Sequence, residues 1–479
     1  MLPSRVLDVG DFQERLPYHP VHLHVRTQDE RGVYVALSHR WGLRGSQKMP
    51  LQTTRRNLKE HCKGISYQGL LSTFRDAVTV TRMLGIRYLW IDALCILQDD
   101  QDDWLKQSSQ MGSIFKNSLL TIAIHSAKNS SESFLWRRHV PELLKIQPRR
   151  DKNGELSSFY TRISMLSDSA VTGRLRDSQI SHRAWVLQEL CLSPLILHVV
   201  DDHMVWECSH QPVAVGEQPT STPASIMRFA ASDSSRQWLR MIELYSSCEM
   251  TKSCDKLPAI AGIANVWPIL HASPQADPYH YGIFESNVCK SLLWLIKDKC
   301  VIRRTGRAPS WSWASVDGEV QFVLLYYSNT TVQSRSDIQV ISFNHRERRN
   351  GEGRLIGELG PMQLWATMKD GLEIGTVWKS SNFRFCPMYH PRYISVICHQ
   401  SRRVGWAAFD EDHSKNPIRT SKIRFMRIWT RGTDNLRRCY VLVVEHSQYR
   451  TDEYKRVGIG CIFEVELFDH LKSELICLY

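Results

Sequence analysis

The residues best equipped for chemistry in this 479-residue chain fall at three places. The first is Ser38-His39-Arg40-Trp41-Gly42, which follows the apolar run from Val33 to Ser38. A serine, a histidine and an arginine together invite a nucleophile, but there is no Gly-x-Ser-x-Gly elbow, and adjacent side chains on a strand point to opposite faces. They read better as ligand-positioning groups, with Trp41 as an apolar wall. The second is Asp92, at the end of Tyr88-Leu89-Trp90-Ile91. Ligands of an open parallel sheet bind beyond the carboxyl ends of the strands, so an acid there is a site candidate. A structural hydrogen bond to a neighbouring loop would account for it equally well. The third is Trp185 and Glu189, spaced i,i+4 in Arg183–Glu189, RAWVLQE. That spacing sets an indole beside a carboxylate on one helix face. The structural alternatives are a core indole and an ion pair between Glu189 and Arg183.

The elements that would position these groups are visible around them. Ser72 and Thr73 are N-cap candidates, Asp76 falls in the first turn, and Phe74, Ala77, Val78 and Leu84 recur at helical spacing. Gly85 is a natural stop. Tyr88 to Ile91 is apolar without alternation, as a strand covered on both faces would be. Asp99, Asp100, Asp102 and Asp103 read as a solvated loop and helix N-cap. Trp104, Ser108, Met111 and Phe115 then share one helical face, and Leu119 to Ile124 is the next strand, ending at His125, a satisfied loop histidine. Leu195–Val200 and Met204–Glu207 read as a hairpin. The expected architecture is α/β: a mostly parallel sheet flanked by helices, followed by a mixed helical and β-rich region.

Around this core, residues 1–31 read as a leader, 32–210 as the domain, 211–223 as a Pro/Thr/Ser/Gly-rich linker, 224–300 as helical and 301–479 as β-rich. A short helix is expected near Arg55–His61, and Ala127 to Ser181 reads as an irregular insertion. Trp238, Ile242 and Tyr245 look helical, as does Asn287 to Ile296, and WSWASV, EVQFVLLYY, YISVI, CYVLVVEH and GIGCIFEVEL look strand-like. His19, His22 and His24 have no Cys, Asp or Glu close in sequence to complete a coordination set, so no metal is expected.

Net charge is +12, but the basic residues are dispersed in short clusters such as Arg137-Arg138 and Arg402-Arg403, so nucleic acid is not an expected partner. No apolar run is long enough to cross a bilayer, and the start lacks a signal-peptide core. With 13 scattered cysteines, read as reduced thiols, the expected location is cytoplasmic, without membrane attachment.

Four motifs occur in an order that strongly resembles the fungal heterokaryon incompatibility (HET) domain: YVALSHRWG at Tyr34–Gly42, TFRDAV at Thr73–Val78, LGIRYLWIDALCILQDD at Leu84–Asp100, and RAWVLQE at Arg183–Glu189. Two positions depart from the family pattern, with Ser133 where a glycine is usual and Gln107 where a glutamate is. The resemblance implies a non-self recognition effector that triggers programmed cell death in response to an incompatibility partner protein. Trp-x-x-x-Glu also resembles the Trp-Cys-x-x-Glu motif of TIR domains, with Val186 in place of the cysteine. That second resemblance implies NAD as a substrate rather than a bound cofactor. Glu189 would be the catalytic carboxylate and Trp185 its wall, while Ser38, Arg40 and Asp92 hold ribose and phosphates and Trp41 lines the substrate site as an apolar wall. The alternative is a homotypic interaction module without turnover, self-associating through the HET domain. An enzyme should gather Glu189, Trp185 and the Ser38–Trp41 loop around one pocket; an interaction module should bury Trp185 and pair Glu189 with arginine.

Overall fold

The computed structural model describes residues 1–10, 19–42, 50–135, 144–150, 156–161, 168–200, 203–208, 234–270, 277–297, 303, 306–326, 334–344, 347–349, 355–358, 360–377, 394–411, 422–432, 437–447 and 452–479. The linker expected at 211–223 lies outside them. The chain divides into two compact units, one of Met1–Phe229 with Pro258–Asn265, the other of Ala230–Leu257 with Val266–Tyr479.

The first unit contains, in order, β1 (Arg5–Asp8), β2 (His22–Val25), β3 (Tyr34–Ser38), α1 (Leu58–Lys63), α2 (Ser72–Met83), β4 (Tyr88–Trp90), α3 (Asp92–Cys95), α4 (Gln101–Lys116), β5 (Leu120–Ile124), β6 (Leu144–Arg150), β7 (Leu156–Thr161), α5 (Asp168–Asp177), α6 (Ala184–Leu192), β8 (Leu195–Val200) and β9 (His203–Cys208). Seven strands form one sheet in the order β2-β1-β4-β3-β5-β8-β9. The inner pairs β4–β3, β3–β5 and β5–β8 are parallel. The outer pairs β2–β1, β1–β4 and β8–β9 are antiparallel. The sheet is therefore mixed rather than mostly parallel. Only two residues separate Val200 from His203, which pair with each other, and so short a connection can make only an antiparallel pair. At the other side, within residues 1–31, β1 lays Leu7 against Leu89 and covers the edge of β4. Residues 127–181, expected to be irregular, hold the β6–β7 hairpin and α5.

Counted among themselves, the parallel strands run 2-1-3-4, so the chain reverses its direction of winding between β3 and β5. In open α/β sheets such a switch point opens a crevice beyond the strand ends. Both faces are covered, which is why the strands are apolar throughout. Val35, Leu37, Leu89, Ile91, Leu120, Ile122 and Ile124 pack with Phe74, Ala77 and Val78 of α2. Their neighbours Tyr34, Ala36 and Trp90 face the other way, onto Met111, Ile114 and Phe115 of α4. On that side Ala123 and Ile196 meet Val186 and Leu190 of α6.

Helix ends follow local chemistry, with one departure. Neither Ser72 nor Thr73 caps α2, whose N-cap is Leu71. Thr73 instead donates its hydroxyl to the Glu132 carbonyl at 2.7 Å, and Asp76 accepts from Ser133 Oγ (2.6 Å) and the amides of Phe134 (2.7 Å) and Leu135 (3.0 Å). Leu84, expected on the apolar face, is exposed. Gly85 takes φ +70°, and the Gly85 and Ile86 amides close the helix on Arg82 and Thr81 carbonyls. The acidic run caps α4: Asp100 accepts from the Asp102 and Asp103 amides at 3.1 Å, while Asp103 accepts from the Leu97 amide and pairs with Arg5. Near the N-terminus His24 meets both Glu30 oxygens at 2.9 Å, and His22 lies 3.4 Å from Asp8, so acids do stand beside these histidines.

The second unit is β-rich, built on a ten-stranded sheet. Its helix Ser234–Ser246 buries Trp238, Ile242 and Tyr245. CYVLVVEH and GIGCI fall in the paired strands Arg438–His446 and Glu453–Ile462. WSWASV is not a strand but a 3-10 turn, Trp313–Ser315, because the Ser312 hydroxyl caps it by accepting from the Ala314 amide. The stretch from Asn287 to Ile296 divides into a one-turn helix, Val288–Ser291, and a strand, Trp294–Ile296. Among the described residues no helix is long and apolar enough to cross a membrane.

Candidate functional site

β3 delivers its last residue, Ser38, to the face shared by α4 and α6, where it is fully buried. His39 turns to the opposite face, its ring edge-on to Phe74 at 5.1 Å between centroids. Two residues later the Trp41 indole donates to Asp92 Oδ2 at 2.8 Å. Asp92 itself opens α3 directly beyond β4, and its Oδ1 accepts from the Ala93 amide at 2.7 Å. The ends of β3 and β4 are thus tied through a carboxylate. Asp92 Oδ1 also lies 3.9 Å from His39 Nδ1.

The third contributor is α6. Arg183, the residue before its first turn, donates Nη1 to the His39 carbonyl at 2.8 Å. Two turns on, Glu189 is buried on the same helix. Burial pushes the Glu189 carboxyl up to about 7; the Ser38 hydroxyl and the Arg183 charge pull it back, and Asp92 raises it further. Ser38, Asp92 and Arg183, from three separate elements, therefore all act on one carboxyl. The Ser38 hydroxyl is close enough to favour the Glu189 anion, although its geometry falls short of a formed hydrogen bond. His39 moves the other way: burial pushes it down to about 4 against the pull of Asp92, and Arg183 adds to the lowering. It is neutral at physiological pH.

Of the residues expected at a site, Ser38, Trp41, Asp92 and Glu189 come together here. Trp185 does not serve as an open wall: its ring stands edge-on to Trp104 at 6.3 Å, at the margin of the cluster holding Trp90 and Phe115. Arg40 reaches Gln179, and its carbonyl accepts from Ser130 Oγ at 3.1 Å. His39 and Arg183, set aside as a positioning group and an ion-pair partner in the sequence, both belong to the cluster. His125 is satisfied, as expected: its Nδ1 meets Ser178 Oγ at 2.7 Å and its Nε2 meets His198 at 2.9 Å. The signal was an inward His198 and Glu207 on the two strands of one hairpin, polar residues among apolar ones. Among the described residues no group of three or more His, Cys, Asp or Glu side chains is placed to hold a metal ion.

Chemically, the cluster offers a buried carboxyl near neutrality, a second carboxylate held by an indole, a serine hydroxyl and a guanidinium. A carboxyl titrating near pH 7 can exchange a proton or stabilise developing positive charge. No curated protein and no solved structure matches the chain. A family model, described as Heterokaryon incompatibility protein (HET), matches residues 34–189, from the first residue of β3 to the glutamate at the centre of the cluster. That span, which holds β3, β4, β5 and this cluster, is a heterokaryon incompatibility domain.

Proposed function

We propose that this domain acts as the effector of a fungal incompatibility response, causing cell death by cleaving the nicotinamide–ribose bond of NAD at Glu189. The observation that carries the reading is the convergence of Ser38, Asp92 and Arg183 on the buried Glu189 carboxyl at the carboxyl ends of β3 and β4. Loss of nicotinamide leaves an oxocarbenium-like ribose, which an adjacent carboxylate stabilises. Nicotinamide departs as a neutral base, so no acid is needed to protonate it. In this reading Glu189 works as the anion, which Ser38 and Arg183 favour against burial, and Asp92 and Trp41 shape the ribose side. Arg40 is available to phosphate at the rim.

Purified full-length protein incubated with NAD tests this. Consumption of NAD with release of nicotinamide, falling by roughly a hundredfold or more in a folded Glu189→Gln variant, is the expected result. Intact NAD with the wild-type protein removes the catalytic reading. A second reading then stands, a homotypic interaction module without turnover. It is favoured by Trp185 packed on Trp104 and by the Arg183 charge beside Glu189, as a fold-maintaining pair would have them. It expects concentration-dependent self-association in sedimentation velocity.

A further inference from the structure

A second set of polar side chains in the first unit shares no residue with the Glu189 cluster, and its order is that of a nucleophile with its base. Ser178 Oγ lies 2.7 Å from His125 Nδ1. His125 Nε2 lies 2.9 Å from His198 Nδ1, and His198 Nε2 lies 2.8 Å from Glu207 Oε2. The four residues come from four places: the turn after α5, the end of β5, β8 and β9. His125, His198 and Glu207 are all under a tenth exposed, whereas Ser178 is half-buried and reachable from solvent.

The donors and acceptors of this chain fit one arrangement with both imidazoles neutral. An ionised Glu207 requires a proton on His198 Nε2. His198 Nδ1 must then accept, which puts the His125 proton on Nε2. His125 Nδ1 is left as an acceptor, and the Ser178 hydroxyl proton is the one that faces it. The alternative acceptors for that proton are both farther: Ser181 Oγ at 2.9 Å, and the Leu175 carbonyl at 3.1 Å, which already takes the Ser181 hydroxyl at 2.6 Å. Burial, and then the neighbouring His198, hold the His125 pKa well below its ordinary value, so the ring is unprotonated and able to accept.

We propose that Ser178 is an activated nucleophile, with His125 as its general base and His198 and Glu207 as the groups that orient and stabilise that base, and that it takes an ester as substrate. In the step, Ser178 Oγ forms a bond to the acyl carbon while its proton passes to His125 Nδ1. The bond from that carbon to the ester oxygen breaks, and the alcohol leaves with the proton from His125. Water then releases the acyl group as a carboxylic acid by the same sequence, restoring Ser178. The imidazolium formed in between is held by the hydrogen-bonded path through His198 to the Glu207 carboxylate. This centre shares no residue with the Glu189 cluster, and its step involves no NAD.

The experiment is covalent labelling of the full-length protein with an alkyl fluorophosphonate, which transfers its phosphonyl group to an activated serine as fluoride departs. Mass spectrometry of the digest then locates the adduct. Ser109 is the internal reference, an exposed serine whose hydroxyl donates to the Lys106 carbonyl at 2.8 Å. Ser178 should be labelled at least tenfold faster than Ser109, and the advantage should vanish in His125→Gln and fall at least tenfold in Glu207→Gln. Circular dichroism establishes that each variant is folded. Folded wild-type protein in which Ser178 is labelled no faster than Ser109 overturns the proposal, whatever the buried variants do. So does a folded His125→Gln protein that keeps the advantage.

Discussion

Trp41 and Asp92 lie 51 positions apart and are joined by an indole N–H donated to a carboxylate oxygen at 2.8 Å. The bond fastens the loop after β3 to the start of α3, so the two strand ends that frame the candidate site move as one. Trp41→Phe keeps most of the ring and removes the donor. A hydrogen bond to a charged acceptor contributes ~1.5–3 kcal/mol when buried, and Asp92 is partly exposed, so a loss of about 1 kcal/mol is expected. Urea unfolding of Trp41→Phe, Asp92→Asn and the double variant measures it. A coupling near zero between the two substitutions would show that the bond does not hold the loop.

The packing of the helix Pro258–Leu270 against α4 and α6 rests on two glycines, Gly262 in that helix and Gly112 in α4. A Cβ on Gly262 would sit 2.4 Å from Gln188 Oε1 and 2.9 Å from Gly112 Cα; one on Gly112 would sit 2.8 Å from Gly262 Cα. Gln188 also accepts the Gly262 amide at 2.7 Å, so it cannot swing away freely. Gly262→Ala is expected to destabilise by about 1–3 kcal/mol, the usual cost of overpacking. Gly173→Ala, within α5 and with nothing near its Cβ, should be neutral or raise the melting temperature through helix propensity alone. Equal melting temperatures for both variants would mean that the helices are farther apart than this.

Local rules carried the parallel core. Tyr34, Tyr88 and Leu120 begin adjacent parallel strands because their runs are apolar on both faces, and Gly85 and Asp100 close and open helices by backbone chemistry that acts within a few residues. The edges of the sheet were not legible for the same reason. β1 and β2 are short, and nothing near Leu7 in sequence reveals that Leu89 is its partner. Thr73 shows the limit within one helix. It reads as an N-cap, but its amide donates to the Ser130 carbonyl and its hydroxyl to the Glu132 carbonyl, contacts made by a loop some sixty residues on. The site divides in the same way. Ser38 and Asp92 announce themselves as polar ends of apolar strands, whereas Trp185 looked like a wall because sequence spacing cannot show that Trp104 already packs on it.

Arg456 offers a test in the second unit. It is fully buried, its Nε and Nη2 meet the two Asp410 oxygens at 2.9 and 3.0 Å, and its remaining donors reach the Leu292 and Trp294 carbonyls at 2.5 Å. Its guanidinium also lies over the Trp294 ring, 3.4 Å from the centroid. Asp410→Asn leaves this charge without an anion and removes one of the two carboxylates of Arg303, which keeps Glu411 at 2.8 Å. Breaking a buried pair by removing one partner costs about 3–5 kcal/mol. The urea midpoint of the transition reporting this unit should fall accordingly. A shift under about 1 kcal/mol would mean that water reaches the guanidinium.

The pH dependence of Glu189→Gln reads the candidate site without any substrate. The carboxyl is raised from its ordinary 4.5 to about 7 in the folded protein, chiefly by burial. Between those values the folded state binds more protons than the unfolded state, so this group's contribution is fully present below the lower value and is lost as pH rises through the upper one. Over the whole window that amounts to ~3 kcal/mol at most, since each unit is worth ~1.4 kcal/mol. His39, held near 4, acts in the opposite sense and loses stability as pH falls, and Glu243 in the second unit is also raised to about 7, so the raw profile mixes several groups. The difference between wild type and Glu189→Gln isolates one of them. At pH 5 the two proteins should melt at similar temperatures; at pH 8.5 the glutamine variant should melt higher, because it no longer buries a charge beside Asp92. If that stable variant has also lost NAD consumption, its carboxylate is needed for chemistry and not for the fold. A variant that melts lower at both pH values would instead make Glu189 a structural partner of Arg183, and the interaction module would be the reading to keep.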